Sequence, residues 1–272
     1  MTLPTSMNHP FPEEPLNLSP SEGGGYYPAV IHQKLNGDKY KVIRKLGYGP
    51  RSSTWLVLTS DNLAYFVVKI FTVTASDHAK TVEIPILKTV NNLNPSLLLP
   101  RFHESFWVKS GAGSHICFVM NPVSTSFRDL QRDAENQRFP VHAVRQIVWG
   151  VARSLKGLHA VKIMHGRTYL TYHDLSHLNP IENPLLEIKA ENLFFLTATQ
   201  VDRLKPVLDS EPAPSIRKIK KFTTVISQPL KQGFKWNNKM KDVINWSIHL
   251  DGFGHGKAFP HCASSLGFLR FK

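Results

Sequence analysis

The sequence predicts an α+β fold in two parts: a complete antiparallel sheet with one helix, then an incomplete helical part. Three β-rich runs between Tyr40 and Phe71 are joined by short turns, and a further apolar strand ends at Met120. A long amphipathic helix then runs from Pro140 to about Ala160. Strand-rich and helical chain are thus segregated, the order expected of α+β architecture.

Each element has its own signal. Residues 1–25 carry five prolines and end in Gly23-Gly24-Gly25 without helical or strand periodicity, which predicts a flexible leader. The run Lys41–Leu46, a glycine turn, the run Ser53–Leu58, the polar turn Ser60-Asp61-Asn62 and the run Ala64–Phe71 form an antiparallel meander. Ala75–Asn91 has a helical pattern interrupted by Pro85, which in a helix interior costs about 3 kcal/mol. Ile116–Met120 is a buried strand. In the long helix Val144, Ile147, Val148, Val151, Leu155 and Leu158 form one apolar stripe, with Pro140 suited to the first turn. Such a stripe requires a partner surface.

Composition excludes several classes. The 272 residues are 42% hydrophobic, enough for a substantial core. Two cysteines, Cys117 and Cys262, neither form a disulfide scaffold nor match a zinc spacing. No signal peptide and no apolar run near the ~18 residues of a membrane helix occur, so the expectation is no membrane and a cytoplasmic or nuclear location. The net charge is +13, yet eight Lys and Arg and no acid fall within Ser215–Lys241 alone. The excess is a local, basic spacer, and its few aromatics argue against a nucleic-acid partner.

The glycine turn reads Leu46-Gly47-Tyr48-Gly49-Pro50-Arg51-Ser52-Ser53-Thr54-Trp55-Leu56, between two strands. Two glycines there let backbone N–H groups approach phosphates, although glycine in a hairpin also serves as a simple turn residue. Lys69 ends the apolar run Phe66-Val67-Val68, and Glu83 lies downstream in the helical segment as its ion-pair partner. Turn, lysine and glutamate in this order are far more specific together than separately.

Gly24-Gly25-Tyr26-Tyr27-Pro28, Lys45-Leu46-Gly47-Tyr48-Gly49 and Ser53-Thr54-Trp55-Leu56 resemble the SR-protein kinase family, in which serine also stands at the third glycine position, here Ser52. The resemblance covers roughly residues 23–166 and then returns in pieces. It implies a two-lobed protein-kinase-like fold, with N-lobe and hinge over 26–123, a partial C-lobe over 124–196 and a spacer over 197–250. It also implies a Ser/Thr protein kinase that uses ATP and Mg²⁺ and acts on a protein substrate rich in Arg and Ser. By resemblance the nucleotide contacts are Leu46, Gly47, Gly49, Ser52, Thr54, Lys69 with Glu83, and the hinge residues Asn121 and Val123 after the gatekeeper Met120.

The remaining motifs depart from the pattern. The catalytic loop begins at Met164-His165-Gly166, but its second half, Ile188-Lys189-Ala190-Glu191-Asn192, follows only after an insert at 167–186. Glu187 then takes the catalytic carboxylate position with Lys189 and Asn192 beside it, and the extra methylene of Glu displaces the carboxylate. The insert holds a second spacing, Asp174 to Asn179, with Ser176 where lysine is required. Its His173-Asp174-x-x-His177 lacks the glutamate of a zinc-protease helix. Asp251-Gly252-Phe253-Gly254 is an altered metal motif, so Asn192 and Asp251 are the expected Mg²⁺ ligands. Residues 255–272 contain no Ala-Pro-Glu. Two readings follow: an ATP-dependent Ser/Thr protein kinase, or a catalytically inactive pseudokinase acting as a binding module.

Overall fold

The structure is a computed structural model that describes residues 11–94, 97, 99–132, 137–164, 190–197, 199–231, 243, 248–251 and 257–258. Its centre is a six-stranded antiparallel sheet built from β1 (Lys34–Leu35), β2 (Tyr40–Gly49), β3 (Ser52–Thr59), β4 (Tyr65–Phe71), β5 (Phe102–Ser110) and β6 (Gly113–Met120), in the order β1-β2-β3-β4-β6-β5. The predicted meander is β2–β4. Its β-branched and aromatic residues alternate between two buried faces, the pattern that suits a pleated strand. Val42, Trp55, Val57, Val68, Ile70 and Val119 pack on one face beneath Tyr27, Ala29 and Leu35.

The other face of β4–β6 carries a helical stretch in three pieces: α1 (Val73–His78), a π turn (Ala79–Glu83) and α2 (Ile84–Asn91). This resolves the difficulty posed by Pro85. In the π turn the Ile84 N–H donates to the Ala79 carbonyl, five residues back, and Pro85 falls in the first turn of α2, where its missing N–H is tolerated. Ala79, Ile86, Leu87 and Val90 then reach the sheet beside Phe71 and Phe118.

Beyond the sheet follow β7 (Val123–Ser126), α3 (Phe127–Arg132), α4 (Val141–Ala160), β8 (Ile163–Met164) and β9 (Leu193–Leu196). The chain continues through α5 (Val201–Asp209), β10 (Ile216–Ile219), β11 (Phe222–Val225), β12 (Ile248–Leu250) and β13 (Lys257–Ala258). β12-β9-β7 form a small sheet, β10–β11 a hairpin, and β13 pairs with β8.

Three expectations are corrected. The expected single stripe on α4 divides: Ile147 and Leu158 are buried and Val151 and Leu155 pack against the core, whereas Val144 is exposed and Val148 is 60% exposed. The buried face instead follows Ala143, Ile147, Gly150, Ser154 and Leu158, because small residues let the helix approach its neighbours closely.

The leader is not free over 11–25. Phe11 packs edge-on against Phe222, and Glu13 and Glu14 are buried. The glycines make a tight turn: a Cβ on Gly24 would lie 2.2 Å from the Leu18 carbonyl oxygen, and Gly25 has φ +75°. The Gly25 carbonyl accepts the first helical N–H, from Val73, and the Tyr26 hydroxyl donates to the Gly49 carbonyl at 2.9 Å.

The expected spacer is folded over 201–231. Leu204, Leu208 and Leu230 bury themselves against Leu56 and Tyr65, so this stretch is part of the sheet's packing rather than a solvated linker. Its basic residues Arg217, Lys218, Lys220 and Lys221 stand on the β10–β11 hairpin and its turn.

Candidate functional site

Strand register places the central lysine. Lys69 lies opposite Thr54 on β3 and Phe118 on β6, and Val67, two residues earlier on the same face, lies opposite Met120. That face opens into a cleft of ≈ 680 Å³, within the size range of small-molecule sites. Its roof is Leu46, Gly47, Tyr48 and Gly49, and its inner wall is Thr54, Val67 and Lys69. Val123, Ser124 and Ser126 form one side, and Asn192, Phe194 and Asp251 the floor. A smaller adjoining pocket of ≈ 150 Å³ runs from Lys69 to Met120 and Asn121.

The glycines take a specific meaning from this geometry. Neither Gly47 nor Gly49 has positive φ, and a Cβ on either would meet nothing within 4 Å. The turn itself therefore does not demand glycine. What glycine leaves there is open space at the roof of the cleft, which a bound phosphate group can approach without side-chain interference.

On the inner wall, Lys69 Nζ stands 3.9 Å from Glu83 Oε2, and Arg51 Nη2 stands 3.1 Å from Glu83 Oε1. The Glu83 side chain is 3% exposed, so its charge is held by these two cations rather than by water. The Arg51 contact is an ion pair off the hydrogen-bond direction, since Glu83 Oε1 has no hydrogen-bond partner.

On the floor, Leu193 pairs with Leu250 across β9 and β12, and the Asp251 N–H donates to the Asn192 carbonyl at 2.8 Å. A carboxylate and an amide oxygen donor are thereby brought to one edge of the cleft. This set fits a hard divalent cation that takes its remaining ligands from phosphate and water. Among the described residues no cluster of three or more His, Cys, Asp or Glu could hold a metal without such help. His249, beside Asp251, is pushed down to about 4 by burial, with the Asp251 charge acting weakly in the opposite direction. It is a neutral wall of the smaller pocket at neutral pH.

Of the expected site residues, Leu46, Gly47, Gly49, Thr54, Lys69, Val123, Asn192 and Asp251 share the main cleft, and Asn121 lines the adjoining pocket. The Asn121 N–H is taken by the Arg101 carbonyl, so of its backbone groups only the carbonyl can serve the cleft. Glu83 is buried behind Lys69. Ser52 is a buried strand residue opposite Gly49 and Phe71 and is not among the residues that line the cleft. Glu187, Lys189, His165 and the insert 167–186 lie outside the described residues, as do Gly252–Gly254.

Sequence reasoning missed Arg51, Phe194, Pro229 and Leu230. Phe194 was accessible from the period-2 alternation of β9, whose Leu193 and Phe195 are buried. Pro229 and Leu230 line the cleft from a stretch whose charge reads as solvated, and no local signal marks them.

The fold is that of a protein kinase domain. A crystallised kinase domain superposes with a TM-score of 0.55 at 17% identity, covering 89% of this chain and 58% of that one. By sequence, about half of the chain is similar to SR-protein kinases and related Ser/Thr kinases. It is 31% identical to mouse SRSF protein kinase 3 over 153 residues, 52% of this chain and 26% of that protein. It is 26% identical to the Ser/Thr-protein kinase SRPK of Physarum polycephalum over 147 residues, 52% of this chain and 34% of the relative. With protein kinase dsk1 of Schizosaccharomyces pombe the figure is 29% over 143 residues, 50% of this chain and 26% of the relative. The chain thus spans only about a quarter to a third of the length of these relatives. No protein-family model matches it. Among the described residues no helix is long and apolar enough to cross a membrane.

Proposed function

We propose that the chain binds Mg²⁺-ATP in the cleft beneath Leu46–Gly49 and acts as a Ser/Thr protein kinase on a protein substrate rich in Arg and Ser. The observation that carries this reading is the convergence of Lys69, Asn192 and Asp251 on one cleft roofed by two glycines that the backbone does not require. Lys69 supplies a point charge for the α- and β-phosphates, and Glu83 orients it. Asn192 and Asp251 would hold the metal, which when bound neutralises charge on the phosphates. Leu46, Val67 and Phe194 give apolar surfaces above and below a planar base, and the Asn121 carbonyl offers an acceptor at its edge. Glu187 and Lys189 take the roles of proton acceptor and phosphate partner by resemblance.

A second reading is favoured by the 20-residue separation of Gly166 from Glu187, an interval of 167–186 in the sequence. In it the cleft still binds nucleotide, but the chain works as a non-catalytic binding module. Thermal melting with and without Mg²⁺-ATP, on the wild type and Lys69→Ala, tests the shared claim. A rise in melting temperature that Lys69→Ala abolishes supports the cleft, and an equal response from both proteins rejects it. Labelled-phosphate transfer to an Arg/Ser-repeat peptide separates the two readings.

A further inference from the structure

The strand that enters the glycine loop is gripped at its edge by chain from far downstream. β1 covers β2 only at Tyr40 and Lys41, so β1 leaves the backbone edge at Lys45 open. The Gln228 N–H occupies it, donating to the Lys45 carbonyl at 2.8 Å. Lys45 pairs with Trp55 and shares its face of the sheet, and there its ammonium donates to the Val225 carbonyl. Thr54, on the opposite face, lines the cleft, and so do Pro229 and Leu230. The segment 225–230 therefore wraps around the edge of β2 from one face of the sheet into the cleft on the other. It is fastened midway, because the Ser227 N–H and hydroxyl donate to the two carboxylate oxygens of Glu13. At its end Leu230 joins Leu56 and Leu204 in the cluster on which Leu46, part of the cleft roof, rests.

We propose that Pro229 and Leu230 form a front wall of the cleft that contacts a bound nucleoside, and that Ser227 and Glu13 are positioning residues that hold this wall against β2. A proline and a leucine side chain offer phosphates neither charge nor donor. They gain instead by covering the apolar surface of a base or ribose. The fastening is sensitive to charge. Glu13 and Glu14 already share the one ammonium of Lys45, so a third carboxylate at position 227 would find that cation taken. Ser227 is half-buried, so the segment can swing into water once it is repelled. The wall can thus be released by a change outside the residues that line the cleft.

The wall has this role only if the cleft binds nucleotide, and two ligands keep the claims apart. Adenosine and Mg²⁺-ATP are titrated calorimetrically into the full chain for the wild type, Lys69→Ala, Ser227→Asp, Ser227→Asn and Pro229→Gly. Hydrogen exchange of the Gln228 amide reports whether the wall is in place. Ser227→Asp should speed that exchange and weaken adenosine by roughly three- to tenfold, with ATP weakened at least as much. Ser227→Asn, similar in size but uncharged, should stay within about twofold of the wild type. Pro229 is exposed, so Pro229→Gly trims the wall without opening the core and should weaken adenosine by about two- to threefold. Wild-type adenosine affinity in Pro229→Gly, or in Ser227→Asp despite faster exchange, would overturn the wall. Unchanged exchange in Ser227→Asp, or an equal loss in Ser227→Asn, would overturn the fastening through Glu13. A loss confined to ATP would mean that the new charge repels phosphate and would also overturn the wall. Absence of adenosine and ATP binding in the wild type, or ATP binding indifferent to Lys69→Ala, would instead overturn the nucleotide reading of the cleft.

Discussion

Lys45 Nζ lies 3.0 Å from Glu13 Oε2, and the lysine side chain is wholly removed from solvent. Glu14 meets the same ammonium, and the Val225 carbonyl accepts from it at 3.2 Å. Glu13 in turn accepts the Ser227 N–H and hydroxyl at 2.9 and 2.7 Å. One buried cation thus joins the leader, the strand that enters the glycine loop, and the stretch that follows β11. Lys45→Met strands two buried carboxylates, and denaturant melts should show a loss of about 3–5 kcal/mol.

The two carboxylates should respond in opposite ways. Burial alone would raise Glu13, but the Ser227 hydrogen bonds and Lys45 together hold it below its ordinary range. Its contribution is therefore present at neutral pH and lost as pH falls through its folded value. For Glu14 burial outweighs Lys45 and raises the carboxyl, so its charged form is disfavoured in the fold. Glu13→Gln should lower the melting temperature at pH 7, whereas Glu14→Gln should leave it unchanged or raise it. A larger loss in Glu14→Gln would contradict this assignment.

His249 gives the fold an acid sensitivity. It titrates near 4 in the folded chain against 6.5 when free, because burial penalises the imidazolium. Between those values the unfolded chain binds the additional proton, so stability is complete above pH 6.5 and declines as pH drops through the window. The loss should approach about 3 kcal/mol at the lower end. His115, also lowered by burial, adds to it. Urea melts from pH 7 to 4 should show a shallower decline in His249→Leu than in the wild type.

Leu230 decides whether 201–231 is a folded part of the domain. It is 2% exposed beside Leu56, Tyr65 and Leu204. Leu230→Ala should cost about 2–5 kcal/mol, whereas a residue in a solvated linker would cost nothing measurable. Val148 is the converse case. Exposed on α4 next to Trp149, it should accept Glu with a change within about 0.5 kcal/mol and with less self-association on size-exclusion chromatography.

The sheet, the helix at 140–160 and the glycine turn with Lys69 were legible because each rests on local periodicity or on a short motif, whereas Asn121 and Val123 were picked out by the resemblance alone. Thr54, Lys69 and Met120 fall into register as soon as β3, β4 and β6 pair. The leader and the stretch 201–231 were not legible, since what orders them is a contact across more than two hundred residues, from Glu13 to Ser227. The α4 stripe misled for a related reason. Val144 and Val148 have the right spacing, but only the neighbours of α4 determine which of its two apolar faces is covered.

The π turn at Ala79–Glu83 sets the phase of the helical stretch on the sheet. One residue fewer would restore an ordinary ladder and at the same time turn α1 against α2 by about 100°. Either Ala75 and Ala79 or Ile86 and Val90 would then leave the sheet, and Glu83 would lose its aim at Arg51 and Lys69. A single-codon deletion that makes this helix more regular would thus disconnect it from the cleft, while an alanine replacement at the exposed Lys80 would pass almost unnoticed.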